Sequence, residues 1–170
     1  RQRSFLTAIT DMKNNILITS AGKRVSLTKK FQETLKKEYQ NAKVYTTDIN
    51  PLMAPAGHVS DGCFKVPRVT ADNYIQYLLQ LCKDSDIGVI IPTIATELIV
   101  LGKNRKLFVD NGVIPVVSDL QFIKICRDKR NTATFFNEHD IRVPKSIDKY
   151  HPIFPMFAKP FDGSLSTDLH

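Results

Sequence analysis

Three stretches of this chain combine residue types and spacings that could do chemistry. The first is Ser20-Ala21-Gly22-Lys23-Arg24, directly after the apolar run Ile16-Leu17-Ile18-Thr19. Glycine permits a tight turn there, and the helix that follows opens with unpaired backbone N–H groups flanked by two cations. Such a turn suits an anionic group. The second stretch is Thr93-Ile94-Ala95-Thr96-Glu97, after the apolar run Ile87 to Ile91. Its hydroxyls and carboxylate suit an amine or a hydroxyl. Asp48 ends the second expected strand 26 residues after Gly22, near the offset of about 20 at which a ribose-binding acid stands in dinucleotide folds. The third stretch is Lys159 followed by Gly163-Ser164-Leu165-Ser166-Thr167. An ammonium beside a small-residue loop can neutralise a phosphate while backbone amides and hydroxyls bond its oxygens.

Each stretch also has a purely structural interpretation. Gly22 serves any strand-to-helix turn, Asp48 is a turn former, and Glu97 suits the first turn of a helix. The Gly/Ser tail reads equally as a solvated hairpin turn. A nicotinamide-dinucleotide fingerprint needs three spaced glycines, and the first turn has one. The tail lacks the Gly-Lys-Ser/Thr order of a Walker loop.

The elements that must position these residues alternate between strand and helix. Ile16–Thr19 and Ile87–Ile91 are short apolar runs of the kind that form buried parallel strands, and Val44–Thr47, Cys63–Val66 and Val113–Val117 read as three further strands. Leu27, Phe31 and Leu35 predict one helix, Tyr74, Tyr77, Leu78 and Leu81 a second, and Leu98 to Phe108 a third that stops at Asn111-Gly112. The stretch from Pro51 to Gly62 reads as a loop. Ser118 with Gln121 predicts a capping box, and Asp128 a cap for a helix to about Asn137. Phe154–Lys159 reads as a further strand. The fold class is therefore α/β, a Rossmann-like doubly wound parallel sheet, with an incomplete second subdomain behind it. Its ligand crevice is expected beyond the carboxyl ends of the first and fourth strands, where the turns at Gly22 and Thr93 lie.

Bulk properties bound the function. The chain has 170 residues, 42% hydrophobic, with a formal net charge of +7. That is room for one complete core and a remainder. The positive charge is dispersed, with no aromatic stacking platform beside the lysine-rich first helix, so nucleic acid is not the expected partner. Cys63, Cys82 and Cys126 lack C-x-x-C spacing and read as reduced thiols of a cytoplasmic protein. No apolar run reaches the roughly 18 to 20 residues of a membrane span. Met12 running into a strand looks like a native start, which leaves residues 1–11 as an extension or expression remnant.

Five segments in order resemble ATP-grasp proteins of the carbamoyl phosphate synthetase large-subunit-like group. They are Asn15 to Arg24, Thr47-Asp48-Ile49-Asn50-Pro51, Ile91 to Leu98, Cys126-Arg127-Asp128-Lys129 and Phe157-Ala158-Lys159-Pro160. The resemblance implies a pre-ATP-grasp domain over 12–126 and the beginning of an ATP-grasp domain over 127–170. It implies a carboxylate-amine or related ligase that uses ATP and Mg2+, a small carboxylate and an amine or similar nucleophile, and it allows a homodimer. Lys129 and Lys159 would meet nucleotide phosphate, and Gly163, Ser164 and Ser166 would close over it. Ser20, Gly22, Arg24, Asp48, Thr93 and Glu97 would face the substrate. The family's phosphate loop carries more glycine than the single one here. Its metal ligands come later in its order, so the 170 residues are expected to hold no metal site and to be inactive alone. A non-catalytic nucleotide- or metabolite-binding module is the alternative.

Overall fold

A computed structural model describes residues 13–148, 150–158 and 160–162. They form two compact units, which divide between Ser118 and Asp119.

The first unit is built on five parallel strands: β1 (Asn15–Thr19), β2 (Val44–Asp48), β3 (Gly62–Lys65), β4 (Ile87–Pro92) and β5 (Ile114–Pro115). Their order is β3-β2-β1-β4-β5. The helices are α1 (Val25–Glu38), α2 (Pro55–Val59), α3 (Tyr74–Asp84), α4 (Ala95–Lys103) and α5 (Arg105–Asp110). Because side chains alternate along a strand, neighbours in β1 serve opposite faces. Leu17 packs with Leu78, Cys82, Ile90, Leu101 and Phe108, which come from α3, β4, α4 and α5. Ile18 packs with Val44 and Ala56, against Phe31 and Leu35 of α1. The sheet is thus covered on both sides, as its continuous apolar strands require.

Several local details depart from the sequence pattern. Thr28, not Leu27, is the buried residue of α1; with Phe31 and Leu35 it forms an i, i+3, i+7 stripe, while Leu27 lines a cleft. The supposed loop after β2 holds a 3-10 turn, Pro51–Met53, and then α2. Each starts on a proline, which fixes the helical φ at a position whose N–H has no partner to lose. The expected third helix breaks at Asn104, which ends α4 and precedes α5 while its side-chain amide donates to the Val100 carbonyl. Its stop at Asn111-Gly112 is as expected: Gly112 has φ +73, and Val113 N–H donates to the Phe108 carbonyl and Gly112 N–H to that of Val109. β5 is only two residues long, since Pro115 has no N–H for the ladder and the strand lies at the sheet edge.

The second unit contains α6 (Leu120–Arg127) and α7 (Lys129–Glu138). Asp119, not Ser118, caps α6, its carboxylate accepting from the amides of Gln121 and Phe122. Asp128 caps α7 through the Arg130 amide at 2.8 Å. Phe154 to Ala158 form no strand. Pro155 interrupts that run, and no described strand lies beside it to complete a ladder.

The three cysteines are free thiols. Burial pushes the Cys82 thiol up to about 12 and raises that of Cys63; Cys126 is exposed.

A bulge sets the approach of β1 to β4. Asn15 pairs with Ile87 and Ile16 with Val89, so Gly88 is left between them. A Cβ on Gly88 would stand 1.9 Å from the Lys13 carbonyl oxygen, a backbone atom that cannot swing away. Gly88→Ala is expected to lower stability by about 2 kcal/mol or more in urea unfolding, the scale of overpacking in a tight core.

Candidate functional site

β1 and β4 are neighbours in the sheet, while α1 after β1 and α4 after β4 cover opposite faces. Their carboxyl ends therefore separate into a crevice, the ordinary ligand position of an open parallel sheet. The β1 turn is tightly wound: Ser20 has φ +50 and Gly22 φ +48. Glycine takes that conformation freely, whereas Ser20 needs compensation of roughly 1 kcal/mol or more. The turn is held to β2 by the Ser20 amide on Thr47 Oγ1 at 3.2 Å and the Ala21 amide on the Thr47 carbonyl at 3.1 Å. The Ala56 amide donates to the Gly22 carbonyl at 2.9 Å, tying α2 to the same turn.

Outside this turn lies an open cleft of about 450 Å³, lined by Ser20, Ala21, Gly22, Lys23, Arg24, Ser26 and Leu27. The backbone amides of Gly22, Lys23, Ser26 and Leu27 find no partner among the described residues. Together with the exposed Lys23 and Arg24, they make the cleft electropositive and suited to an anion.

Behind the turn sits a carboxylate in a different environment. Glu97, in the first turn of α4, is fully buried. A carboxylate removed from water costs several kcal/mol unless its oxygens are bonded. Thr19 Oγ1 donates to Oε2 at 2.7 Å, while Ser20 Oγ at 2.7 Å and Tyr74 Oη at 2.8 Å both donate to Oε1. The amino end of α4 adds its own favourable dipole. Burial, followed by the charge of Glu97, raises the Tyr74 phenol far above the ordinary tyrosine range.

Thr93 closes the opposite side. Its hydroxyl is shared between the carbonyls of Thr19 at 2.9 Å and Ser20 at 2.8 Å. Arg24 Nη2 reaches the Thr93 carbonyl at 2.7 Å, spanning the crevice. Five residues expected on the substrate side, Ser20, Gly22, Arg24, Thr93 and Glu97, are thus brought together. Ser20, Gly22 and Arg24 face the cleft; Glu97 does not line it, and the Thr93 hydroxyl bonds the turn. Asp48 ends β2 without lining the cleft, and its carboxylate accepts the Asn50 amide at 2.9 Å in a local turn. Sequence reasoning missed Thr19, Thr47 and Tyr74. The available signal was a threonine at or next to the carboxyl end of each of two strands, since a buried hydroxyl must find a partner.

In the second unit, Lys159, Gly163, Ser164 and Ser166 lie outside the described residues. Lys129 opens α7 with its amide on the Phe161 carbonyl at 3.0 Å and its ammonium on the Pro160 carbonyl at 2.8 Å. Arg127 pairs with Asp162 at 2.5 Å, and the Arg130 guanidinium lies 3.9 Å above the Phe161 ring. Three cations therefore gather residues 160–162 at the start of α7.

The strand order and the two helical layers define a Rossmann-like α/β domain whose fold matches the N-terminal domains of ATP-grasp enzymes. Residues 16–117 match the model of the PylC-like N-terminal domain. The chain belongs to this family, an ATP-grasp pre-domain. Among solved structures, L-amino acid ligase from Bacillus licheniformis aligns with a TM-score of 0.59 and 14% identity, over 88% of this chain and 37% of that one. The biotin carboxylase domain dimer of Hydrogenobacter thermophilus 2-oxoglutarate carboxylase, solved with MgADP, ADP and bicarbonate, aligns with a TM-score of 0.51 and 14% identity. That alignment covers 75% of this chain and 27% of the carboxylase domain. At such identities the likeness is one of fold. No curated protein matches the chain.

Two titrations test the polar geometry. An acid held protonated by the fold contributes stability below its ordinary range, about 10 for tyrosine, and loses it as pH rises above. The Tyr74 phenol should therefore ionise only as the chain unfolds in alkali, and Tyr74→Phe should remove that last step in phenolate absorbance. Asp128 behaves in the opposite sense: the Arg130 side chain, chiefly, holds its carboxyl down at about 2 from 3.8. Its cap is complete above the ordinary carboxylate range and lost as pH falls through the lowered value. The Arg130 amide resonance should report a midpoint near 2, not near 4.

Proposed function

We propose that this chain is the N-terminal part of an ATP-dependent carboxylate-amine or related ligase, similar to carbamoyl phosphate synthetase. The observation that carries this proposal is the PylC-like N-terminal match over residues 16–117. The gathering of residues 160–162 at Lys129 supports it, because those residues flank Lys159 and the Gly163–Thr167 loop in sequence. The solved ligase and the MgADP-bound carboxylase domain supply the analogy for nucleotide use. The chain spans 37% of the ligase and 27% of the carboxylase domain, so substrates, cofactors and assembly all belong to this proposal.

In the proposed reaction, a carboxylate oxygen of a small substrate attacks the γ-phosphorus of ATP, and ADP leaves. The amine nitrogen then attacks the acyl carbon of the resulting acyl phosphate, inorganic phosphate leaves, and the nitrogen gives up a proton. Lys129 and Lys159 offset the negative charge of the phosphates, and the amides and hydroxyls of Gly163, Ser164 and Ser166 bond their oxygens. The electropositive turn at Ser20, Gly22 and Arg24 receives an anionic part of the small substrate, with Thr93 and Glu97 maintaining its shape and Asp48 at its margin. Residues 12–126 act as the pre-ATP-grasp domain and 127–170 as the start of the ATP-grasp domain.

Magnesium would accompany ATP in such an enzyme. Among the described residues, no three His, Cys, Asp or Glu side chains stand together to hold a metal ion. The described residues thus do not build that site, and no step is assigned to the metal. Among them, too, no helix is long and apolar enough to cross a membrane. A cytoplasmic enzyme, with homodimerisation as an available assembly, completes the proposal.

Kinetics of ADP release tests it. The 170-residue chain is expected to release no ADP with any carboxylate, whereas a protein extended through the rest of the ATP-grasp domain is expected to do so in a carboxylate-dependent manner. In the extended protein, Lys129→Ala should lower kcat/KM for ATP by about a hundredfold, the scale of one lost transition-state charge contact. Absence of carboxylate-dependent turnover in the extended protein would leave a nucleotide- or metabolite-binding module instead.

A further inference from the structure

The Glu97 cluster raises a question that folding alone does not answer. A leucine in that space would fill the core between α3, α4 and β1 without removing a charge from water, and buried ionic groups seldom outperform apolar ones in stability. The chain instead places a carboxylate there and recruits hydroxyls from the end of β1 and the start of α3 to satisfy it. One of those hydroxyls belongs to Ser20, whose backbone is left-handed with φ +50, a conformation that a side chain normally resists. Its Oγ is drawn inward onto Glu97 Oε1, and with that side chain anchored the backbone is turned outward. The following Gly22 and Lys23, whose amides have no partner among the described residues, line the cleft. Tyr74 donates to the same carboxylate oxygen from the other side. Neither Tyr74 nor Glu97 lines the cleft.

We infer that Tyr74 and Glu97 are a buried positioning pair, which fixes the left-handed Ser20 turn and so sets the ligand-facing geometry of the cleft from behind. The inference rests on the cleft beside Ser20 being the ligand-facing surface proposed above, but its decisive measurement needs no ligand. The oxygen Oε1 accepts from both Ser20 and Tyr74, so removing the phenol frees the carboxylate to rotate about its remaining bonds. The turn should loosen even though no residue of the cleft has changed. A pair that only filled the core would affect the turn no more than any other core residue.

Hydrogen exchange at the Ser20 and Ala21 amides reads this directly, because both are bonded to Thr47 and exchange only when the turn opens. The measurement uses the 170-residue chain and the variants Tyr74→Phe, Glu97→Gln and Leu78→Val, each at the same interval below its own Tm. Leu78 is a fully buried neighbour of Tyr74 on α3 that makes no part of the polar cluster. Tyr74→Phe and Glu97→Gln should each speed exchange at both amides by about tenfold or more, the scale of one lost charge-assisted hydrogen bond, with Leu78→Val unchanged from the parent. Exchange in Tyr74→Phe equal to that in Leu78→Val would overturn the inference. If Glu97→Gln fails to fold, Tyr74→Phe decides alone. Inorganic phosphate, titrated against the same proteins and followed on the Gly22 and Lys23 amides, examines the cleft separately. Binding by the parent that weakens about fivefold or more in Tyr74→Phe supports both proposals. A parent chain indifferent to phosphate counts against the anionic ligand alone, and the exchange rates still decide the pair.

Discussion

The polar architecture of the first unit depends on the removal of one charge from water. Once the Glu97 carboxylate is enclosed between α3, α4 and the end of β1, its oxygens must be met by donors, and among the described residues those donors are hydroxyls. Thr19, Ser20 and Tyr74 supply three hydroxyls from two directions. The bonds are short, 2.7 to 2.8 Å, and they are directional because a hydroxyl has only one proton to give. Their joint effect is to clamp the β1 turn to two helices that reach it from elsewhere in the chain. Every other feature of the crevice, from the left-handed Ser20 to the open amides at Gly22 and Lys23, follows from where that turn is held.

The sheet prepares the same spot by simpler means. Parallel strands order themselves β3-β2-β1-β4-β5, so the chain leaves β1 toward one face and β4 toward the other. At the bulge between them, Gly88 lets the Lys13 backbone just before β1 approach β4 closely. At their carboxyl ends the layers part, and Thr93 and Arg24 bridge the gap with bonds to main-chain carbonyls. The Thr93 hydroxyl and the Arg24 guanidinium thus shape the crevice while also lying beside it. Stability and ligand geometry are written into the same few contacts here, which is common where buried polar groups gather.

The second unit applies charge differently. Asp128 both caps α7 and pairs with Arg130, while Arg127, Lys129 and Arg130 draw in residues 160–162 through a carboxylate, two carbonyls and an aromatic face. Arg127, Asp128 and Lys129 are half-buried and Arg130 is exposed, and the contacts of the three cations converge on three consecutive residues.

Much of this molecule was legible without coordinates. Continuous apolar runs placed the strands, Asn111-Gly112 placed a helix end, and Asp128 placed a helix start, because each depends on a few neighbouring residues and on backbone sterics. The turns at Gly22 and Thr93 were recognisable as crevice positions from the alternation of strands and helices alone. Other features escaped local pattern. Pro51 and Pro55 began helical turns where punctuation was expected, and Phe154 to Ala158 lacked the neighbour that an apolar run needs to become a strand. The inward turn of Glu97 was beyond any local signal, since its partners lie 78, 77 and 23 residues away. Sequence by itself determined which segments would form strands and helices, where the chain would turn and which side chains carried charge. Only the tertiary structure decided which of those charges faced water and which faced hydroxyl groups, because burial and hydrogen-bond partnership are properties of surroundings assembled from distant parts of the chain.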